Sequence, residues 1–231
     1  MGLSAVELLN LHDILYDIQK DKKLVIYSPY SNFNAVLSLW FFKLLVEEGR
    51  KPCIHIDDMH IEYVVNDLCR EKYPETHICA NASKSHDCVI NITNSFSKCV
   101  GDIDVNNYCV ICIVNDWRPV YNRMHGTIYQ IKRVGSNLYR VLRIENGKAE
   151  GYALLKMQVC EVFQYEMPSD LRIIYEELSE IINEFGSIKA TDFLKYITRK
   201  RNMDREHALN MIRLAISMGI IKYSNGYLTI Y

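Results

Sequence analysis

The segment Leu24–Ile56, LVIYSPYSNFNAVLSLWFFKLLVEEGRKPCIHI, decides the fold class. Leu24-Val25-Ile26-Tyr27 is a short apolar run with β-branched residues, followed by a turn around Pro29. An almost unbroken apolar stretch then runs from about Asn34 to Glu48 and stops at Gly49, the length and terminator of a buried helix. Cys53-Ile54-His55-Ile56 returns to a short apolar run. Strands that are apolar throughout, joined by a helical crossover, belong to parallel sheets covered on both faces. Downstream the pattern repeats, with a helix from Met59 to Lys72 ended before Pro74, a strand over Asp87 to Ile92 and another over Tyr108 to Val114. The expected fold class is α/β, a parallel sheet with crossover helices.

Upstream, Ser4-Ala5-Val6-Glu7 is a capping box, and Val6, Leu9, Leu11, Ile14, Leu15 and Ile18 form an apolar stripe, so an amphipathic helix is expected to open the chain. After Asn122 the runs Thr127–Val134, Leu138–Glu145 and Tyr152–Phe163, separated by Gly135-Ser136-Asn137 and Asn146-Gly147, predict β-hairpins that extend the sheet or form a separate meander. From Pro168 onward, helices are expected over Leu171–Phe185, Ala190–Arg201 and Asp204–Met218, capped by Gly219. Ile220–Tyr223, the Ser224-Asn225-Gly226 turn and Tyr227–Tyr231 finish as a hairpin. Three helices and a terminal hairpin predict a winged helix. The resulting division is an α/β domain over 1–134, a β-hairpin extension over 135–166 and a winged-helix domain over 167–231.

With 231 residues, 49% of them hydrophobic and 24% charged, the chain has the balance of a soluble globular protein rather than a disordered or fibrous one. The apolar run Ala35–Phe42 stops at Lys43, short of the ~20 residues of a membrane span. Met1 to Lys20 lacks a basic n-region, so neither signal nor transit peptide is expected and the protein is placed inside the cell. Its eight cysteines lie mostly in apolar stretches, which predicts reduced thiols packed as small hydrophobes and no disulfide framework. Cys109-x-x-Cys112 has a zinc-like spacing but falls in a strand, where residues three apart face opposite sides; core packing is expected there, with no metal and no cofactor. Residues 1–120 hold 11 basic and 16 acidic residues, residues 121–167 hold 7 and 4, and residues 168–231 hold 9 and 8. The acidic larger part disfavours broad electrostatic binding of nucleic acid there.

Ligands of open parallel sheets bind at the carboxyl ends of the strands. Those ends carry Ser31-Asn32-Phe33-Asn34-Ala35, Thr93-Asn94-Ser95 and Asn115-Asp116-Trp117-Arg118-Pro119. None is a glycine-rich dinucleotide or P-loop, so nucleotide cradles are not supported. His55, His77 and His86 lie in separate segments without ligand spacing and are expected to be structural or solvated. Asn91-Ile92-Thr93 and Asn81-Ala82-Ser83 match the glycosylation pattern, which has no role in an intracellular chain.

These strand ends resemble, over roughly residues 20–125, those of the DHH-superfamily phosphoesterases of the RecJ kind. Asn32-x-Asn34 stands where that family has a paired aspartate, Thr93 where it has a further aspartate, and Asn115-Asp116-Trp117 where it has Asp-His-His. The chain is most similar to the cell division control protein 45 family, RecJ relatives active in replication. The stretches that carry this likeness are Ser31-Asn32-Phe33-Asn34-Ala35-Val36 and Asn115-Asp116-Trp117-Arg118-Pro119-Val120. Two-metal hydrolysis needs several carboxylates and imidazoles, and these positions offer one carboxylate, Asp116. The resemblance therefore implies a catalytically inactive member that is not an enzyme, with Arg118 and Pro119 as a structural motif. As partners it implies the GINS complex, the MCM helicase and, as a candidate further ligand, single-stranded DNA, with no membrane. The compact chain lacks the acidic insertion of the longer eukaryotic members, which points to an archaeal-type protein in the cytoplasm, associated with the chromosome. Three other readings stay open: an ordinary α/β domain whose asparagines serve turns, a winged-helix DNA-binding transcription regulator with an α/β sensor domain, and an active phosphoesterase with unorthodox ligands.

Candidate nucleic-acid contacts are Arg118, Arg123, Arg199, Lys200, Arg201, Arg205 and Arg213. The third C-terminal helix offers Asp204, Arg205, Glu206, Asn210 and Arg213, a mixed set, and the turn of the last hairpin has only Lys222 nearby. Protein docking is expected from this region in preference to sequence-specific DNA reading.

Overall fold

A computed structural model describes residues 7–9, 13–14, 16–17, 20, 23–68, 71–79, 86–94, 109–115, 127–145 and 148–230. Its main element is a nine-stranded mixed sheet. Strands β1 (Glu7–Leu8), β2 (Lys23–Tyr27), β3 (Pro52–Ile56), β4 (Cys88–Thr93), β5 (Cys109–Val114), β6 (Thr127–Gly135), β7 (Leu138–Glu145) and β8 (Lys148–Gln158) lie in the order β1-β8-β7-β6-β2-β5-β4-β3, and β9 (Glu161–Gln164) also pairs with β8. Along β3-β4-β5-β2-β6 every pairing is parallel; from β6 through β7 and β8 to β9 every pairing is antiparallel. Strand β6 thus belongs to both halves, and the hairpin segment continues the α/β sheet without a break. The described crossovers of the parallel half, from β2 to β3 and from β3 to β4, carry helices as expected, and the chain is α/β.

Helix α1 (Ser31–Glu47) forms the β2-to-β3 crossover. It is apolar nearly all round, and Phe33, Leu37, Leu39, Phe41 and Leu45 are buried against the sheet. Gly49 ends it at φ 79°, with its N–H on the Val46 carbonyl. Strand alternation divides the core. Tyr129, Ile131, Tyr139, Val141, Ala153 and Leu155 face the α1 side, while Ile128, Leu142, Ile144, Tyr152 and Leu154 face the opposite side and pack against the C-terminal helices. Those helices are α3 (Ser169–Phe185), α4 (Ala190–Lys200) and α5 (Arg205–Ser217). A three-stranded antiparallel sheet, β10 (Ile188–Lys189), β12 (Tyr227–Ile230) and β11 (Ile221–Ser224) in that order, accompanies them. Arg140, buried in β7, donates to the Gly219 carbonyl at the end of α5. A Cβ at Gly219, whose φ is 65°, would stand 3.2 Å from that guanidinium.

Four sequence expectations differ from the structure. Glu7–Leu8, placed in an opening helix, form a strand parallel to β8; Leu9 sits where a Cβ at Gly151 would lie 2.7 Å from its Cγ, so the glycine lets the two backbones approach. Residues 13–14, 16–17 and 20 are helical, and the capping residues Ser4 to Val6 lie outside the described residues. The helix expected from Met59 to Lys72 is a single short piece, α2 (Met59–Tyr63), that loosens into a π-helical turn over Val64–Leu68. Tyr152–Phe163 is two strands, parted where Val159 adopts φ 45°.

The fourth concerns cysteine. Cys53 and Cys79 form a disulfide with Cα atoms 5.9 Å apart, and Cys112 and Cys160, which belong to core clusters on opposite faces of the sheet, each take part in a disulfide as well. An isolated parallel bridge between Ile54 and Ile78 brings the 71–79 segment alongside β3, which places Cys53 and Cys79 within bonding distance. Cys109 and Cys112 do face opposite sides of the sheet, and Cys109 is a free buried thiol opposite Cys88 in the β4–β5 register. Among the described residues no helix is long and apolar enough to cross a membrane.

Candidate functional site: a polar cluster at the strand ends

Ladder bonds that continue past the strands, from Ser28 N–H to Val114 O, Asn115 N–H to Thr93 O and Asp57 N–H to Ile92 O, bring the carboxyl ends of β2, β5, β4 and β3 side by side. The chain leaves β2 in one direction to reach β3 and passes β2 in the other to reach β6, so a topological switch lies at β2 and β5. The first turn of α1 carries Asn32 and Asn34 into that switch.

Asn34 is wholly buried. Its Nδ2 donates to the Ser28 carbonyl at 2.9 Å and to Asn115 Oδ1 at 2.7 Å. Asn115 Nδ2 in turn donates to Asn94 Oδ1 at 2.8 Å. Three amides therefore form a directed chain in which each donates to the next. Thr93 Oγ1 donates to Asp57 Oδ2 at 2.9 Å, and His60 Nε2 shares a 2.9 Å hydrogen bond with Asn32 Oδ1. Asp58 caps α2 through the His60 N–H. The structure thus brings Asn32, Asn34, Thr93 and Asn115 together at the carboxyl ends of neighbouring strands. Asp116, Trp117, Arg118, Pro119 and Arg123 lie outside the described residues.

Asp57, Asp58 and His60 were not singled out from the sequence, whereas Asn94 lies in the Thr93-Asn94-Ser95 strand end that was. Their signal was present, since Asp57-Asp58 directly follows Ile56 at the end of a strand. Asn34 Oδ1 and Ser28 Oγ are buried without a hydrogen-bond partner among the described residues, the kind of pair that a buried water satisfies. Among the described residues no group of three His, Cys, Asp or Glu side chains is disposed to hold a metal ion. Of the three histidines, His55 Nδ1 meets Asn91 Oδ1 at 3.2 Å, and the rings of His77 and His86 stack with centroids 5.0 Å apart.

A second polar cluster involves the C-terminal cations. The buried Glu177 carboxylate accepts from Tyr196 Oη, Lys200 Nζ and Arg201 Nε, each at 2.7 Å, and Arg201 Nη2 approaches it to 2.6 Å. Burial acts to raise the pKa of Glu177, but the hydrogen bonds from Lys200, Tyr196 and Arg201 outweigh it and hold the carboxyl below its ordinary value. The bond to Glu177 raises the pKa of Lys200. Two of the candidate nucleic-acid contacts, Lys200 and Arg201, are thus engaged within the fold, whereas Arg199, Arg205 and Arg213 are exposed. No protein-family model matches this chain, and no curated protein matches it.

Proposed function

We propose that the protein is a non-catalytic DNA replication factor, a RecJ-like scaffold that associates with the GINS complex and the MCM helicase and ends in a winged helix. The observation that carries this reading is the amide chain Asn34–Asn115–Asn94 at the switch of the sheet. In a two-metal phosphoesterase the strand-end groups hold divalent ions through negative charge. Two unit charges 4 Å apart interact by about 4 kcal/mol at an effective dielectric near 20, so each carboxylate exchanged for an amide forfeits about 8 kcal/mol of gross attraction for a divalent ion. Asn34 instead directs its donors to Asn115 Oδ1 and the Ser28 carbonyl, and Asn115 directs its own to Asn94 Oδ1. A strand end so arranged fixes loop geometry, which is what a docking scaffold retains when chemistry is gone. Support for the C-terminal assignment comes from the order α3, β10, α4, α5, β11, β12 with its three-stranded sheet.

Incubation of the purified chain with labelled single-stranded DNA or RNA and manganese or magnesium tests the non-catalytic half of the proposal. No cleavage is expected; cleavage abolished by Asp57→Ala or Asp116→Ala would overturn it. Affinity purification from the native host tests the partner half, with GINS and MCM expected and promoter DNA alone pointing to a transcription regulator.

A further inference from the structure

We propose that Cys88 and Cys109 form a reversible dithiol–disulfide couple, closed by thiol–disulfide exchange with a low-molecular-weight disulfide of the glutathione class. This goes beyond the scaffold proposed above and does not depend on it.

The two residues begin neighbouring parallel strands, Cys88 at the start of β4 and Cys109 at the start of β5, and stand opposite one another in the register. Both side chains lie on the α1 side of the sheet, and their thiols share a hydrogen bond. Neighbouring strands are about 4.8 Å apart, inside the roughly 4.4–6.8 Å that separates the Cα atoms of a disulfide. The backbone therefore already holds the pair where a bond can form.

Every other described cysteine, Cys53, Cys79, Cys112 and Cys160, is disulfide-bonded, whereas these two are free. Two features of the sheet account for the difference. Alternation turns Cys53, Cys79 and Val89 to the face opposite Cys88, and Cys112 to the face opposite Cys109, so the sheet itself separates the dithiol from those disulfides. Side chains of parallel neighbours also stand at about the strand spacing of 4.8 Å, wider than the roughly 3.8 Å between bonded Cβ atoms, so closure must draw the two strand ends together. Disulfides strained in this way are the ones that small thiols reopen.

Both thiols are buried, beneath a charged rim at the amino ends of β4 and β5 and at the other end of the sheet from the amide chain. The Asp87 carbonyl accepts the Cys109 N–H at 3.0 Å, and its carboxylate accepts the Lys51 N–H at 2.8 Å. Arg50, Asp87 and Glu48 act on Cys109 electrostatically, and Asp87 and Glu48 are exposed. Fraying of the strand ends thus opens the pair to a tripeptide-sized reagent. The hydrogen bond from Cys88 lowers the pKa of Cys109, while that same bond and burial raise the pKa of Cys88. Cys109 is accordingly the attacking thiolate. It attacks one sulfur of the glutathione disulfide, whose S–S bond breaks, and one glutathione leaves as a thiolate that takes up a proton. Cys88, releasing its proton to solvent, then attacks the Cys109 sulfur of the mixed disulfide and expels the second glutathione. Two electrons and two protons pass from the protein thiols to the glutathione pair, and excess reduced glutathione runs both steps backwards.

Equilibration of the native full chain in glutathione buffers of graded oxidised-to-reduced ratio, followed by alkylation of free thiols and peptide mass spectrometry, tests the proposal. Cys88 and Cys109 should lose alkylation together and appear as one cross-linked peptide pair, at a midpoint at least about 10-fold more oxidising than that of Cys53–Cys79. Return to reduced glutathione should restore both thiols. In Cys88→Ala no cross-link should form at Cys109; thermal melts establish that this variant is folded, and the titration of the parent decides the matter without it. The proposal is overturned if both thiols stay alkylatable at every ratio, if each is glutathionylated separately with no link between them, or if reduced glutathione opens Cys53–Cys79 before it opens the new bond.

Discussion

Asn34→Asp places a carboxylate where the structure needs a donor. The parent Nδ2 serves two acceptors, Ser28 O and Asn115 Oδ1, from a wholly buried position. An ionised carboxylate there would face both with no proton to offer and would itself be desolvated. Protonation offers an escape whose cost at pH 7 is bounded by three pKa units above the unfolded value near 3.9, about 4 kcal/mol. One of the two donated bonds is still lost, about 1 kcal/mol more. A net loss of about 3–5 kcal/mol follows, and at 2–4 °C per kcal/mol for a chain of this size the melting point should fall by roughly 10 °C. The sign of the pH dependence is fixed. Burial raises the folded-state pKa of the introduced carboxyl, so the penalty is full above that value and shrinks as pH falls toward 3.9, where folded and unfolded chains are both protonated. Urea unfolding of parent and variant at pH 7 and pH 4.5 reads this out as a gap that narrows at the lower pH. A variant as stable as the parent at pH 7, or one rescued by millimolar manganese, would refute the view that amide donors organise these strand ends.

Two further outcomes follow from the corrections above. Replacing Cys53 by Ala should destabilise the chain by about 3.5 kcal/mol, the loop-closure value for a separation of 26 residues; denaturant midpoints of parent and variant without reductant measure it, and coincident midpoints contradict it. The lowered pKa of Glu177 means that its contribution is complete above the ordinary carboxylate value of 4.5 and is lost as pH falls through the lowered one. Glu177→Gln should therefore lie about 2 kcal/mol below the parent in stability at pH 7, a value reduced because Lys200 and Arg201 are partly exposed, and converge with it only as pH falls below the lowered pKa of Glu177.

How much of this was legible beforehand depended on range. Local patterning was enough for the parallel strands, for α1 with its Gly49 terminus and for the terminal hairpin, because each is written in contiguous residues. The convergence of Asn32, Asn34, Thr93 and Asn115 was legible once the strands were placed, since strand ends of a parallel sheet must meet. Illegible were features made by distant partners. Glu7–Leu8 become a strand only because Gly151 admits Leu9, and Cys53 finds Cys79 only because Ile78 bridges Ile54. Arg199-Lys200-Arg201 looks in sequence like one basic run, yet a buried glutamate on another helix claims two of its three members.

The most direct test of the scaffold reading is size-exclusion chromatography of the full chain with the GINS complex of its own host, at 150 mM and 500 mM salt. A stable co-eluting complex at both is expected, because the contact proposed is protein to protein and is not held by screened surface charge. Separate elution at both salt concentrations would contradict the account.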